Sequence, residues 1–195
     1  MPRPRTFDES DVVAAARDEF WSRGYAATSI DDLTTATGLG KGSLYGAFGD
    51  KHGLFLRALD DYIGTSLDSV RGQLRDPTHS AYDRLRRHIR AQAKAIAADA
   101  SRRGCMMAKS AAELSATDDT VELAVQKAYG VWAKELADCI TEAQRDGDID
   151  RKQNPQALAT TVLAFMRGQE ALHKGGMKPA QLKASAEQMI ALIPQ

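Results

Sequence analysis

Long apolar runs are missing from this 195-residue chain. The longest extend over a few residues, against the roughly 20 needed to cross a bilayer as a helix, so no membrane partner is expected. Cysteine is scarce. Cys105 and Cys139 are too few for a disulfide scaffold or a structural zinc site. The four histidines, His52, His79, His88 and His173, are scattered without metal-ligand spacing. Net charge is absent as well, with 26 Lys and Arg against 26 Asp and Glu, so no global field calls for an acidic partner. The opening Met1-Pro2-Arg3-Pro4-Arg5 runs into Asp8, Glu9 and Asp11, which is not the apolar stretch of a secretory signal. There is no P-loop, G-x-S-x-G, H-E-x-x-H or dinucleotide fingerprint, and no pair of Glu-x-x-His motifs on facing helices. A cytoplasmic, reduced protein with no metal, no cofactor and no enzymatic activity is the expectation.

Helical periodicity is what the chain does have. Val12, Val13, Ala16, Phe20 and Trp21 share one stripe between Asp8 and Gly24, and Gly24 predicts the stop. A short helix is predicted over 29–37, with Thr28 as N-cap, Asp31 reaching back to it, and Gly38 ending it. Another spans about 41–48. A long helix opens at Asp50 and carries Leu54, Phe55, Leu59, Tyr62, Ile63, Leu67, Val70 and Leu74 to the break at Asp76-Pro77-Thr78. Five more helices are predicted over 80–100, 105–115, 118–146, 155–174 and 179–193, the last two opening on Pro155 and Pro179. The fold class is therefore all-α, about nine helices, three short ones followed by a larger bundle. Charge is uneven along it: residues 71–109 hold ten Lys and Arg against three Asp and Glu, and residues 110–155 hold five against ten. Arg84, Arg86, Arg87 and Arg90 read as a solvated helix face paired with those acids. Cys139, beside Leu136 and Ile140, reads as inert core.

The informative stretch is 24–55, GYAATSIDDLTTATGLGKGSLYGAFGDKHGLF. Two short helices joined at Gly38, with Ile30, Leu33, Leu39 and Leu44 placed to pack them across each other, have the layout of a helix-turn-helix, whose second helix enters the major groove. Gly40, Gly42, Ser43 and Gly46 make that second helix unusually small. Glycine is a poor helix former, and close approach to a duplex is a compensating reason for it. The stretch resembles the DNA-binding domain of the TetR family of bacterial transcriptional repressors, matching at Gly24, Tyr25, Thr28, Ser29, Ile30, Gly38, Gly42, Leu44, Tyr45, Phe48, Lys51 and Leu54. Thr34 and Thr37 depart from the family's usual alanines, their hydroxyls expected to bond back to carbonyls of the preceding turn. Gly40 replaces a Ser cap, and Gly46-Ala47 replaces a larger pair.

The resemblance implies a DNA-binding domain over 1–52 and an effector-binding and dimerisation domain over 53–195. Thr28, Tyr45 and Lys51 would contact phosphates. Lys41, Gly42 and Ser43 would face the groove, with Lys41 donating to guanine O6 or N7. Core is the alternative reading of Tyr45, and a solvated first-turn lysine that of Lys51. Arg3 and Arg5, flanked by Pro2 and Pro4, form a cationic arm that either reaches an adjacent minor groove or is a free tail. A homodimer through about 155–174 and 179–193 would read a pseudo-palindromic site on double-stranded DNA. Ala157, Thr161, Ala164 and Gly168 together with Leu158, Val162, Phe165 and Met166 suit that interface, as do Leu182, Met189, Ile190 and Ile193.

A small-molecule effector would meet Met106, Met107, Tyr129, Trp132, Phe165 and Met166, a set that favours an apolar or aromatic compound, although residues of these types at helical spacing are more often core. Cys105 follows Arg102-Arg103-Gly104 and opens a helix, a setting that lowers a thiol's pKa. Residues 104–113 resemble a segment of a TetR branch in which some members sense electrophiles through this cysteine; a small buried cap is the alternative. The function expected is a repressor released from its operator by a small-molecule or thiol-reactive effector. An activator of the same family and a helical protein-binding adaptor are the alternatives.

Overall fold

The computed structural model describes residues 7–194. Among these there are nine helices and no strand: α1 (Glu9–Arg23), α2 (Ile30–Thr37), α3 (Lys41–Phe48), α4 (Lys51–Leu74), α5 (Ala81–Ala98), α6 (Met106–Leu114), α7 (Asp119–Asp146), α8 (Pro155–Lys174) and α9 (Pro179–Ala191). They form two compact units. The first comprises the described residues up to Thr65 together with Met106–Val125, and the second comprises Ser66–Cys105 and the described residues from Gln126. By compactness the first unit thus extends past the residue-52 boundary expected from the sequence and takes in α6.

In the first unit, α1 buries Val12, Val13, Ala16 and Phe20, and Asp8 caps it by accepting from the Ser10 N–H at 2.8 Å. Phe20 meets Phe55 of α4 edge to face, 5.2 Å between centroids, and Tyr25 lies 4.9 Å from the same ring. Leu54, Phe55, Ala58 and Leu59 complete this core with Met106 and Met107, each large side chain contributing about 1.5–3 kcal/mol by burial. The capping box of α2 is one residue later than expected. Ser29, not Thr28, is the N-cap, accepting from the Asp32 N–H at 3.1 Å, while the Asp32 carboxylate accepts from the Ser29 N–H at 2.9 Å. Thr28 is turned inward instead. Gly38 closes α2 in the left-handed region at φ +69°, and Asp50 caps α4 by accepting from the Gly53 N–H.

In the second unit α5 packs against α8 and α9. Its arginines do not form one solvated face. Arg84 is buried, its guanidinium 2.5 Å from Glu142, because the stripe of Leu85 and Ile89 carries it into the core. Arg90 grips Glu187 of α9 with two bonds of 2.7 Å rather than an acid of 110–155, the paired geometry favoured by guanidinium and carboxylate. Cys139 is buried, its thiol donating to the Ala81 carbonyl at 3.2 Å and pushed up to about 11 by burial.

A polar chain crosses this core. The indole N–H of Trp132 donates to His88 Nε2 at 3.2 Å, so His88 is the tautomer whose Nδ1–H donates to Gln73 Oε1 at 2.8 Å. Burial, with Arg167 nearby, pulls the His88 pKa down to about 4. Burial also pushes the Glu170 carboxyl up to about 7, against the pull of Arg167 at 3.0 Å. The two act in opposite directions. An unfolded histidine binds protons near pH 6.5, so the His88 contribution is whole above that pH and is lost as pH falls toward 4. The Glu170 contribution is whole below about pH 4.5 and is lost as pH rises through 7. His88→Gln is therefore expected to gain about 3 kcal/mol relative to wild type between pH 7 and pH 4. Urea unfolding across that range measures it, and a pH-independent difference would show that His88 is not the titrating group.

Candidate nucleic-acid interface

The α2–turn–α3 segment buries few apolar side chains of its own, with α2 packed against α1. Leu33 is the buried residue of α2 and Leu44 that of α3, while Ile30 and Leu39 are half-buried. Eight-residue helices are too short to persist alone, so local hydrogen bonds carry much of the definition. Thr34 Oγ1 donates to the Asp31 carbonyl at 2.9 Å and Thr37 Oγ1 to the Leu33 carbonyl at 2.7 Å. Both hydroxyls thus bond back to the preceding turn.

One face of α3 is open. Lys41, Gly42, Ser43, Tyr45 and Gly46 are exposed, Tyr45 at 45%. Gly40 caps the helix without a side-chain hydrogen bond. A Cβ placed on Gly40, Gly42 or Gly46 would meet no heavy atom within 4 Å. The small residues are therefore not demanded by packing inside the unit; they keep an outward surface low. Lys41 lies 2.7 Å from Asp31 of α2, which holds its ammonium pKa above the ordinary lysine value. The Lys41 charge is positioned by that carboxylate while staying at the surface.

The other residues expected here are placed differently. Thr28 is fully buried, its hydroxyl donating to the Gly24 carbonyl at 2.7 Å, so it shapes the α1–α2 loop and its side chain offers nothing to a phosphate. Lys51 is half-buried and donates to the carbonyls of Tyr25 at 3.0 Å and Thr28 at 2.9 Å, with its ammonium 4.2 Å from the Tyr25 ring centroid. Its first task is to hold the same loop. Arg3 and Arg5 lie outside the described residues.

Of the expected effector residues, Met106 is in the first unit, and Cys105, Tyr129, Trp132, Phe165 and Met166 are in the second. Cys105 is buried and neighbours Tyr129, whose phenol pKa is raised by burial and then by that thiol. Arg103 is engaged with Asp99: its Nε is 3.7 Å from that carboxylate, which also accepts from the Arg103 and Gly104 N–H groups. Trp132 is covered by the Arg167 guanidinium, 4.7 Å from its centroid. The surroundings of Trp132 are thus cationic as well as aromatic, a feature the periodicity of apolar residues did not signal. The one Glu-x-x-His spacing, Glu170 to His173, is occupied by protein contacts, Arg167 on the carboxylate and the Asp99 carbonyl 3.0 Å from His173 Nε2. No helix among the described residues is long and apolar enough to cross a membrane.

The family model for bacterial regulatory proteins of the tetR family matches residues 12–58, and that for the tetracyclin repressor-like C-terminal domain matches residues 81–189. The HTH-type transcriptional repressor ComR of Escherichia coli (strain K12) is 26% identical over 193 residues, covering 99% of this chain and 92% of ComR. The HTH-type transcriptional repressor DhaR of Mycobacterium sp. (strain GP1) is 27% identical over 164 residues, covering 84% and 81%. Among solved structures, a cysteine mutant of the TetR family transcriptional regulator CifR, complexed with a 26-bp double-strand operator DNA, is similar with a TM-score of 0.85 and 30% identity over 98% of this chain and 100% of that one.

The open α3 face yields a direct test. Gly46→Ala is expected to stabilise the free protein by about 0.5–1 kcal/mol through helix propensity. If a duplex seats closely on this face, the added methyl also weakens DNA binding. Thermal unfolding and a filter-binding titration read the two effects, and a stabilised protein with unchanged DNA affinity places Gly46 away from the contact.

Proposed function

The chain belongs to the TetR family of bacterial regulatory proteins, and on that premise we propose that it is a transcriptional repressor whose homodimer binds a pseudo-palindromic operator and leaves it when an effector binds. The observation that carries the reading is the low, open face of α3, with Lys41 at its first turn and Tyr45 one turn on, unburdened by packing duties. Lys41 donates to a base edge, Ser43 and the backbone of Gly42 lie against the groove, and Tyr45 reaches a phosphate. Lys51 acts one step back, holding the loop while adding positive charge. The protein is a cytoplasmic regulator rather than an enzyme.

Burial sorts the two helices proposed for the dimer. Val162 and Met166 of α8, Leu182 and Ile190 of α9, and Ile193 beyond it are core of their own unit. Ala157, Thr161, Ala164 and Gly168 stay exposed on α8, and Leu172 and Leu192 are 49% and 66% exposed. That outward face supports pairing with a second copy, which sets two reading heads about 34–36 Å apart for successive major grooves. An effector that binds the state with another spacing better drains the operator-bound population by its differential affinity.

A duplex enriched from a random-sequence library by the purified reduced protein tests the reading. For six to ten phosphate contacts, raising salt from 50 to 200 mM should weaken binding by about 10³-fold or more. Lys41→Ala should lower affinity about 5- to 150-fold and relax the sequence preference at one position per half-site. Failure of the library to converge would refute the proposal, and salt-insensitive binding would point to a protein-binding adaptor.

Cys105 supplies the second reading, of a thiol-reactive effector, supported by its place beside Tyr129 in the same unit as Arg167 and Glu170. N-ethylmaleimide is expected to release wild-type protein from the enriched duplex and to leave Cys105→Ser bound. Equal release of both proteins assigns the effect elsewhere and leaves a non-covalent effector as the reading.

A further inference from the structure

The residue pair that α6 lends to the first unit is matched to the backbone it meets. A helix ends on carbonyls without intrahelical donors, and the end of α1 is no exception. Lys109 Nζ donates to the carbonyls of Trp21 at 2.5 Å and Ser22 at 3.1 Å. One turn further along α6, the Glu113 carboxylate accepts from the N–H of Tyr25 at 2.8 Å, with the Ala26 N–H at 3.4 Å. A cation therefore sits where the chain presents oxygen, and an anion where it presents N–H, from positions i and i+4 of one helix. Gly24 makes room for this. Its φ is +91°, and a Cβ there would collide with the Glu113 carboxylate.

The same loop is held from a second side. Lys51 of α4 takes the carbonyls of Tyr25 and Thr28. Tyr25 thus has its N–H committed to α6 and its C=O committed to α4. Four residues later Ser29 caps α2. Since α2 and α3 bury one residue each, the direction in which this loop delivers the chain acts together with the packing of α2 on α1 to set how the α3 face is presented.

We propose that Lys109 and Glu113 are positioning residues for operator reading: they set the α1–α2 loop, and through it the orientation of α2 and α3, from a helix outside the helix-turn-helix. This rests on the DNA-reading role proposed above. Glu113 is exposed, and links at exposed side chains add little to overall stability, so its contribution separates from folding. Loss of the clasp leaves the unit folded with the loop free to sample other directions.

The test uses the full chain as wild type, Glu113→Ala, Glu113→Gln, Lys109→Met and the double variant Lys109→Met/Glu113→Ala, with the library-enriched duplex and a random duplex at one salt concentration. Amide hydrogen exchange at Tyr25 and Ala26 reports the clasp directly. In Glu113→Ala that exchange is expected to accelerate, and affinity for the enriched duplex to fall about 10-fold, while affinity for the random duplex, carried by phosphates, changes less than about 2-fold. Glu113→Gln keeps an acceptor oxygen and is expected to recover most of the preference. The double variant should lose less than the product of the single losses, as for coupled neighbours. Unchanged exchange in Glu113→Ala overturns the clasp. Faster exchange with an unchanged ratio of enriched to random binding overturns the positioning role alone, as does an equal loss on both duplexes accompanied by a lower unfolding temperature. A wild-type protein that selects no sequence overturns the functional reading itself and this one with it.

Discussion

Six residues of backbone between α1 and α2, Gly24 to Ser29, have to be satisfied before the reading head has a shape. Buried or half-buried peptide groups cannot be left unpaired without a cost near that of a lost hydrogen bond, and this loop has no regular structure of its own to pair them. Its needs are met from three directions: Thr28 bonds back to Gly24, Lys51 takes two carbonyls, and Glu113 takes two N–H groups. The aromatic cluster of Phe20, Tyr25 and Phe55 packs beside it. Two side chains that the family resemblance would place on phosphate, Thr28 and Lys51, are committed to this internal work. The duties are compatible for Lys51, whose charge remains near the surface, and incompatible for the fully buried Thr28 hydroxyl.

The economy of the head follows from that constraint. Because the loop and the caps define α2 and α3, their outer surfaces are released from packing, and glycine can stand where a larger residue would raise the face. Glycine costs helix stability, and nothing inside the unit recovers it at Gly42 or Gly46. A surface kept low at such a cost is consistent with close contact to another molecule. The second unit spends its polar residues differently. Trp132, His88, Gln73, Arg167 and Glu170 place hydrogen bonds and charge within a bundle core that apolar residues alone would fill with less penalty. The opposed titrations of His88 and Glu170 are the physical signature of that choice.

The helices were legible in the chain because their signals are local. Apolar residues at spacings of three and four, Gly38 at a left-handed position, Asp50 before a long run and prolines at first-turn positions each act within a few residues of themselves. The helix-turn-helix and its open α3 face were readable for the same reason. The capping box was misplaced by one because Thr28-Ser29 and Asp31-Asp32 offer two registers of similar chemistry. Burial of Thr28 against Gly24 chose between them.

What the sequence alone determined about this protein is the helical succession, the family to which its motif belongs and the small-residue surface of α3, all properties of contiguous residues. Tertiary structure decided the rest. It turned Thr28 inward, set Lys51 on the loop, brought Lys109 and Glu113 from more than 80 positions away to the end of α1, buried Arg84 against Glu142 and laid Arg167 over Trp132. Periodicity marks which face of a helix is apolar. It carries no information on which distant polar group will meet an orphaned carbonyl or N–H, because that pairing is settled by the packing of whole helices and by the cost of leaving a buried polar group alone.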